Sequence, residues 1–339
     1  MSNGPANVSR ETTSRVPGLL ESGGTGAEEF GRTAFGNISP AETPIAAEAH
    51  RASQILHPGT ASIPRPKEQR VITIANQKGG VGKTTTAVNL AAALALQGMR
   101  VLVIDLDPQG NASTALGVEH HSGVPSSYEL LIGEVSVRDA IQQSPHNERL
   151  LCIPATIDLA GAEIELVSMV ARESRLKTAI QDANLAGYDI DYVMIDCPPS
   201  LGLLTVNAMV AAKEVLIPIQ CEYYALEGVG QLLRNISLIQ SHLNPALHVS
   251  TVVLTMYDGR TKLADQVAEE VRGHFGDAVL KSVIPRSVKV SEAPGYGMTV
   301  LNYDPGSRGA MSYLDAGREI AARATPAAAG ESHTDERGR

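Results

Sequence analysis

The sequence predicts an α/β protein in which a mostly parallel, twisted sheet carries helices on both faces. Two observations predict it. Short β-branched and aliphatic runs alternate with alanine- and leucine-rich stretches of helical length from about residue 69 to residue 324. Two of those runs close on aspartates and one opens into a glycine-rich turn, all at carboxyl ends, where open α/β sheets bind ligands.

The elements follow in order. Residues 71–75 are a β-branched run fit for a buried parallel strand. Residues 84–97, rich in alanine and leucine and stopped by Gly98, read as a helix. Residues 100–106 are the second strand and 150–154 another short one, followed by a long helical pattern from 159 to about 186. Apolar runs at 191–195, 215–219 and 249–255 have strand length, with helices expected near 203–212, 226–242 and 262–275. A strand near 279–284 and a helix near 309–324 complete the alternation.

Composition sets the limits. Of 339 residues, 43% are hydrophobic, as in a soluble globular protein, and no apolar run is long enough to span a bilayer. The polar start, residues 1–15, lacks the apolar core of a secretory signal. Cys152, Cys197 and Cys221 lie far apart without a C-x-x-C pair, which favours structural thiols in a reducing cytoplasm over disulfides or a metal site. Residues 1–68 are rich in Pro, Gly, Ser and Ala without apolar periodicity, so a disordered tail is expected there. Its one unusual patch is residues 28–35, with two of the three phenylalanines, a candidate for docking on a polar scaffold. Residues 69–324 form the expected folded domain and 325–339 a second disordered tail.

Three clusters carry the chemistry. Asn76-Gln77-Lys78-Gly79-Gly80-Val81-Gly82-Lys83-Thr84-Thr85 sits between the first strand and the first helix. A phosphate loop of the form G-x-x-x-x-G-K-[ST] cradles phosphates on backbone N–H groups, with the lysine on the β/γ-phosphates and the hydroxyl on Mg²⁺. The helix N-terminus adds its positive dipole end. Here the leading glycine is replaced by Gln77 and a second cation, Lys78, follows it. A loop that already holds one ammonium has no need of another for its own nucleotide. Lys78 makes sense if it reaches a phosphate held by a second subunit, which predicts a P-loop NTPase acting as a nucleotide-sandwich homodimer.

The second cluster is Val101-Leu102-Val103-Ile104-Asp105-Leu106-Asp107-Pro108. Strand alternation puts Asp105 and Asp107 on one side, at the ligand-binding edge. A carboxylate there can order Mg²⁺ or orient the water that attacks the γ-phosphate. The third is Tyr192-Val193-Met194-Ile195-Asp196-Cys197-Pro198-Pro199, an apolar run closing on one aspartate, as does the Mg²⁺-holding strand of P-loop NTPases.

These clusters, together with Ile153-Pro154-Ala155-Thr156, Gln220-Cys221-Glu222-Tyr223-Tyr224-Ala225-Leu226-Glu227-Gly228, the stretch from Leu254 to Thr261 and the stretch from Ile284 to Pro294, closely resemble the ParA/Soj family of chromosome-partitioning ATPases. The match runs in order over about 70–322. The resemblance implies ATP and Mg²⁺ as cofactors, weak ATPase activity stimulated by a ParB-type partner, and a cytoplasmic, nucleoid-associated protein. It implies that Lys78 crosses the dimer interface, that Lys83 and the loop Gly79, Gly80, Val81 and Gly82 hold phosphates, that Thr84 binds Mg²⁺ and that Thr85 is a further phosphate contact. Asp107 corresponds to the family's water-positioning aspartate, and Asp105 and Asp196 would support the metal. Pro285 and Arg286 fall in a segment that borders the adenine in related proteins.

The family also implies sequence-independent binding to double-stranded DNA, with Arg260 and Lys289 at matching basic positions. A formal charge of −9 opposes long-range steering, and residues 281–323 hold six basic against four acidic side chains, a slight excess. A weak patch doubled by ATP-driven dimerisation would still make DNA affinity nucleotide-dependent. Lysine at 289, where arginine is usual, keeps the charge but loses the bidentate fork. The alternative is a MinD-like or other positioning ATPase. Pro326 and Gly330 interrupt the C-terminal segment, which lacks the bulky apolar face of a membrane-binding helix, so no membrane partner is expected.

Overall fold

The computed structural model describes residues 63–183 and 188–323. The docking patch expected at 28–35 and the C-terminal segment 325–339 lie outside the described residues. Residues 63–68 already touch the domain: Ile63 packs against the core, Arg65 pairs with Asp189 at 3.1 Å and Glu68 with Lys213 at 3.4 Å.

Eight strands form one sheet. They are β1 (Arg70–Ile74), β2 (Val101–Asp105), β3 (Gln142–Gln143), β4 (Leu150–Ile153), β5 (Tyr192–Asp196), β6 (Glu214–Gln220), β7 (His248–Tyr257) and β8 (Val279–Pro285). Their order is β3-β4-β2-β5-β1-β6-β7-β8, parallel throughout except for the short β3–β4 pair. The expected mostly parallel α/β sheet is the fold observed.

Side-chain alternation divides the core. Val101, Val103, Tyr192 and Met194 face one way, against α1 (Lys83–Leu96) and the last helix, Arg308–Ala322. The short helix α2 (Asn111–Ala115) joins that same side through Ala112 and Ala115. Leu102, Ile104, Val193 and Ile195 face the other, against short helices α3 (Ser127–Ile132) and α4 (Val137–Ala140), and against α5 (Leu159–Val167) and α6 (Arg175–Asp182). A third cluster closes β6 and β7 under α7 (Leu203–Ala211), α8 (Glu227–His242) and α9 (Lys262–Phe275). After β8 come α10 (Val288–Glu292), α11 (Val300–Tyr303) and α12 (Arg308–Ala322).

Helix α1 is buried along almost its whole length because α12 covers the side that the sheet does not. The approach is close: a Cβ on Gly317 of α12 would lie 3.1 Å from the Cβ of Ala93. Glycine permits that contact at some cost in helix propensity.

The long helix expected over 159–186 is two helices. Ala171 adopts φ 54°, a left-handed conformation that an α-helix cannot continue through. Asn207 of α7 fixes the break: its amide donates to the Arg172 carbonyl at 2.7 Å, and its oxygen accepts from the Leu176 N–H at 3.2 Å. A side chain from a distant helix therefore decides where the sequence pattern is interrupted.

Candidate functional site

The carboxyl ends of β1, β5 and β2 stand in one row. Ile74 pairs with Asp196 and Asp196 with Asp105, so the phosphate-loop sequence emerges beside both carboxylates. The loop is pinned from neighbouring strands. Asn76 donates to the Pro218 carbonyl at 2.8 Å and accepts from the Lys78 N–H at 3.1 Å. Thr255, at the end of β7, donates to the Val81 carbonyl at 2.8 Å. Gly80 and Gly82 have φ 75° and 89°, which side-chain-bearing residues rarely adopt. Gly82 is also the N-cap of α1 and supplies no side chain to the helix's free N–H groups, which suits an anionic ligand.

The two lysines differ. Lys83 is buried, and its ammonium donates back to the Lys78 carbonyl at 3.3 Å. Burial lowers its pKa, opposed by the negative charges of Asp196 and Asp107. Lys78 stays at the rim with its side chain 38% exposed, paired at 3.7 Å with Glu222, which also meets Arg286 at 3.5 Å. Exposed pairs of this length are weak and exchangeable. Thr84 and Thr85 open α1, partly buried beside Lys83, and Thr85 accepts from Asn89 through its carbonyl at 2.8 Å.

The carboxylates also separate, and not as strand alternation suggests. β2 ends at Asp105, so Asp107 lies in the following loop and is partly exposed, whereas Asp105 is fully buried. Asp105, expected to support the metal, is tied into the loop. Its oxygens already accept from the Asp107 N–H at 3.1 Å, the Ser113 N–H at 2.9 Å and the Ser113 hydroxyl at 2.7 Å. With those acceptors engaged it holds the Asp107 loop and the start of α2 together beside the site. Asp107 caps its own turn, accepting from the Gln109 N–H at 3.0 Å.

Asp196 is the opposite case. It is fully buried, and neither oxygen accepts a hydrogen bond. Burial, reinforced by the neighbouring Asp105 charge, pushes its pKa well up, although the Thr84 hydroxyl nearby favours the ionised form. A buried carboxylate without donors is costly unless a cation compensates it. The pair Asp196 and Thr84 therefore fits a divalent cation, and the loop with Lys83 fits a polyphosphate beside it.

The expected adenine and DNA residues lie toward the β7–β8 side. Pro285 ends β8 opposite Tyr257, and Arg286 follows it. An open cleft lined by Tyr257, Arg260, Pro285, Arg286 and Arg308 runs there. Arg260 is 87% exposed, but Asp258 holds it in a fork at 2.8 and 2.7 Å. Lys289 meets Glu292 at 3.5 Å and lies over the Tyr303 ring at 5.4 Å. Both expected DNA contacts are thus paired with carboxylates. All three cysteines are buried and free.

Sequence reasoning missed Ser113, Asn76, Thr255 and Glu222 as parts of the site. They stand within or beside the quoted motifs, but what fixes them is contact with other strands and loops: Asn76 with Pro218, Ser113 with Asp105, Thr255 with Val81 and Glu222 with Lys78.

Known proteins add a second line of observation. A family model described as an AAA domain matches residues 69–249. The sporulation initiation inhibitor protein Soj of Bacillus subtilis is 54% identical over 75% of this chain and 98% of its own length. The chromosome partitioning protein ParA of Caulobacter vibrioides is 52% identical over 75% and 94%. Among solved structures, a cobyrinic acid a,c-diamide synthase of Mycobacterium smegmatis with bound ATP analogue and magnesium is 41% identical, with TM-score 0.63 over 75% of this chain and 93% of that one. The septum site-determining protein MinD of Pyrococcus horikoshii, complexed with Mg-ADP, is 28% identical, with TM-score 0.59 over 75% and 96%. With such identity across nearly the full length of Soj and ParA, and a phosphate loop set against two strand-end carboxylates, this chain belongs to the ParA/Soj family of chromosome-partitioning P-loop ATPases.

Proposed function

We propose that the protein is an ATP-dependent DNA-partitioning switch that hydrolyses ATP to ADP and phosphate. Its ATP-bound sandwich dimer binds nucleoid DNA without sequence preference, and a ParB-type centromere-binding partner triggers release. The observation that carries the reading is the contrast between the two loop lysines. Lys83 turns into its own loop, and Lys78 waits at the rim on a weak ion pair. That division suits one cation for the protomer's own nucleotide and one for its neighbour's.

Bound ATP with Mg²⁺ supplies the phosphoanhydride bond that is cleaved. Lys83 and the loop N–H groups would orient and neutralise phosphate oxygens, Thr84 and Asp196 would hold the metal, and Thr85 would add a phosphate contact. Asp107, partly open to solvent, orients the attacking water. Asp105 keeps the Asp107 loop in place through Ser113. Pro285 and Arg286 border the base, and Arg260 and Lys289 contact DNA phosphates once their carboxylate partners are exchanged. Release follows hydrolysis because Lys78 loses the γ-phosphate that it shared across the interface.

A second feature supports the homodimer. Helix α5 turns Leu159, Ala162 and Leu166 inward, yet its outward side carries Ile164 at 79% exposure and Val167 at 58%, with Val170 beyond at 88%. A helix apolar on both sides is normally covered. No helix among the described residues is long and apolar enough to cross a bilayer.

The test is nucleotide-dependent sizing with ATP, ADP and a non-hydrolysable analogue, with and without nonspecific DNA, on the wild type and Lys78→Ala. A dimer seen with ATP or the analogue only, retained on DNA and lost in Lys78→Ala, is the expected result. ATP-driven dimers that survive loss of Lys78 would overturn the reading. ATP-dependent retention on liposomes in place of DNA would move the protein to the MinD-like class.

A further inference from the structure

The loop that carries Asp107 is clasped by a histidine that the site chemistry has not used. Gly110 ends the turn after Asp107, its N–H donating to the Asp107 carbonyl at 2.9 Å. Its φ is 63°, and a Cβ there would lie 2.9 Å from Cδ2 of His120 and 3.2 Å from the Ala155 carbonyl oxygen. The imidazole therefore packs on the turn itself. Its Nε2 meets the Thr114 hydroxyl at 3.1 Å and its Nδ1 the Val118 carbonyl at 3.0 Å. The same Thr114 hydroxyl donates to the Gly110 carbonyl at 3.0 Å.

The cluster joins the ring to the turn in two ways. One is direct packing of the imidazole on Gly110. The other runs through Thr114, whose hydroxyl touches both Nε2 and the Gly110 carbonyl, while Nδ1 is anchored on the Val118 carbonyl.

We propose that His120 is a positioning residue for hydrolysis: its ring packs on Gly110 and, through Thr114, holds the Asp107–Gly110 turn in place. The proposal rests on the water-orienting role given to Asp107 above. His120 hydrogen-bonds Thr114 and Val118 and none of Lys83, Thr84 or Asp196, so its effect is confined to how well Asp107 is held.

The experiment measures single-turnover hydrolysis, nucleotide affinity and ATP-dependent dimerisation. It compares the wild type, His120→Gln, Thr114→Val and Asp107→Ala, each checked by thermal melting. His120→Gln and Thr114→Val should both lower the hydrolysis rate by roughly threefold to tenfold, one hydrogen bond's worth of ordering, and leave affinity and dimerisation unchanged. The double variant should be no slower than either single one. An unaltered rate in both variants, with Asp107→Ala inactive, overturns the role of His120 alone. Normal hydrolysis in Asp107→Ala overturns the underlying assignment and this inference with it. A loss of affinity or dimerisation in His120→Gln equal to the loss of rate marks a merely structural residue and also overturns the proposal.

Discussion

Asp105 and Asp196 are register partners across β2 and β5, side by side at the carboxyl edge of the sheet, yet one accepts three hydrogen bonds and the other none. Two carboxylates so close cannot both ionise cheaply in a buried site. Burial pushes both carboxyls up, Asp105 to about 6 against the pull of its Ser113 and Asp107 donors, and Asp196 well above its ordinary value, so Asp196 is the group left open for a cation.

Asp196→Asn is therefore expected to stabilise the metal-free protein while impairing catalysis. Removing a buried, donorless carboxylate should raise unfolding free energy by about 1–2 kcal/mol. The sign of the pH dependence follows. The folded pKa of Asp196 lies above its ordinary value of 3.8, so the folded state binds more protons than the unfolded one. Stability is full below that ordinary value and declines as pH rises through the folded pKa. Denaturant melts against pH, with and without Mg²⁺ and nucleotide, check this. The variant, or bound Mg²⁺, should flatten the decline, and a wild-type slope in Asp196→Asn would contradict it.

Lys83→Ala and Asp107→Ala should fail at different steps. Lys83 is buried in its loop, and removing its charge-assisted bond to phosphate should weaken nucleotide binding by roughly 10- to 100-fold or more. Asp107→Ala should bind ATP normally and hydrolyse it roughly 100- to 10,000-fold more slowly, trapping a DNA-bound dimer. Nucleotide titration and phosphate release separate the two, and normal turnover in Asp107→Ala would remove its assigned role.

The pairing of Arg260 with Asp258 yields a two-sided prediction. Arg260 holds the Asp258 carboxyl down at about 2, so the acid stays ionised and competes with DNA phosphate at neutral pH. Arg260→Ala should weaken ATP-dependent DNA retention and lower the salt slope by about 0.9 for each DNA phosphate that is no longer neutralised. Asp258→Asn should strengthen retention at low salt. Retention measured over a salt series decides, and no change in either variant would place the DNA surface elsewhere.

At the opposite end of the sheet, Arg70 and Glu214 form a fork at 2.8 and 2.6 Å, with side chains only 12% and 11% exposed. Arg70 also donates to the Ile320 carbonyl at 2.7 Å and so ties β1 to α12. Glu214→Ala should cost about 3–5 kcal/mol, because it leaves a buried guanidinium without its partner. Burial raises the Glu214 pKa, but Arg70 outweighs it and the net shift is downward. That stability is present above the ordinary carboxylate range and lost as pH falls through the lowered value. A melting temperature unchanged in Glu214→Ala would show that the pair does not stabilise the fold.

Legibility followed the range of the physics. The helix at Lys262–Phe275 was readable to the residue, since its N-cap Thr261, amphipathic spacing and Gly276 stop are neighbours in the chain. The break at Ala171 was not, because Asn207 imposes it from another helix. The short helices between 111 and 140 were likewise unread, being too brief to show a period. Lys83 and Asp196 announced themselves through motif and strand end. The difference between Asp105 and Asp196 did not, because it depends on Ser113 reaching back to one strand and nothing reaching the other.

By itself, then, the sequence determined the parallel α/β framework, the phosphate loop with its second lysine, and the family, because apolar runs, glycine turns and their spacing are local properties of a chain. Only the tertiary structure decided which carboxylate is open to a cation, which cations are held by neighbouring acids, and which histidine rests on the Asp107 turn. Those outcomes are set by burial and by hydrogen-bond partners from remote segments, and such partners exist only once the strands lie side by side.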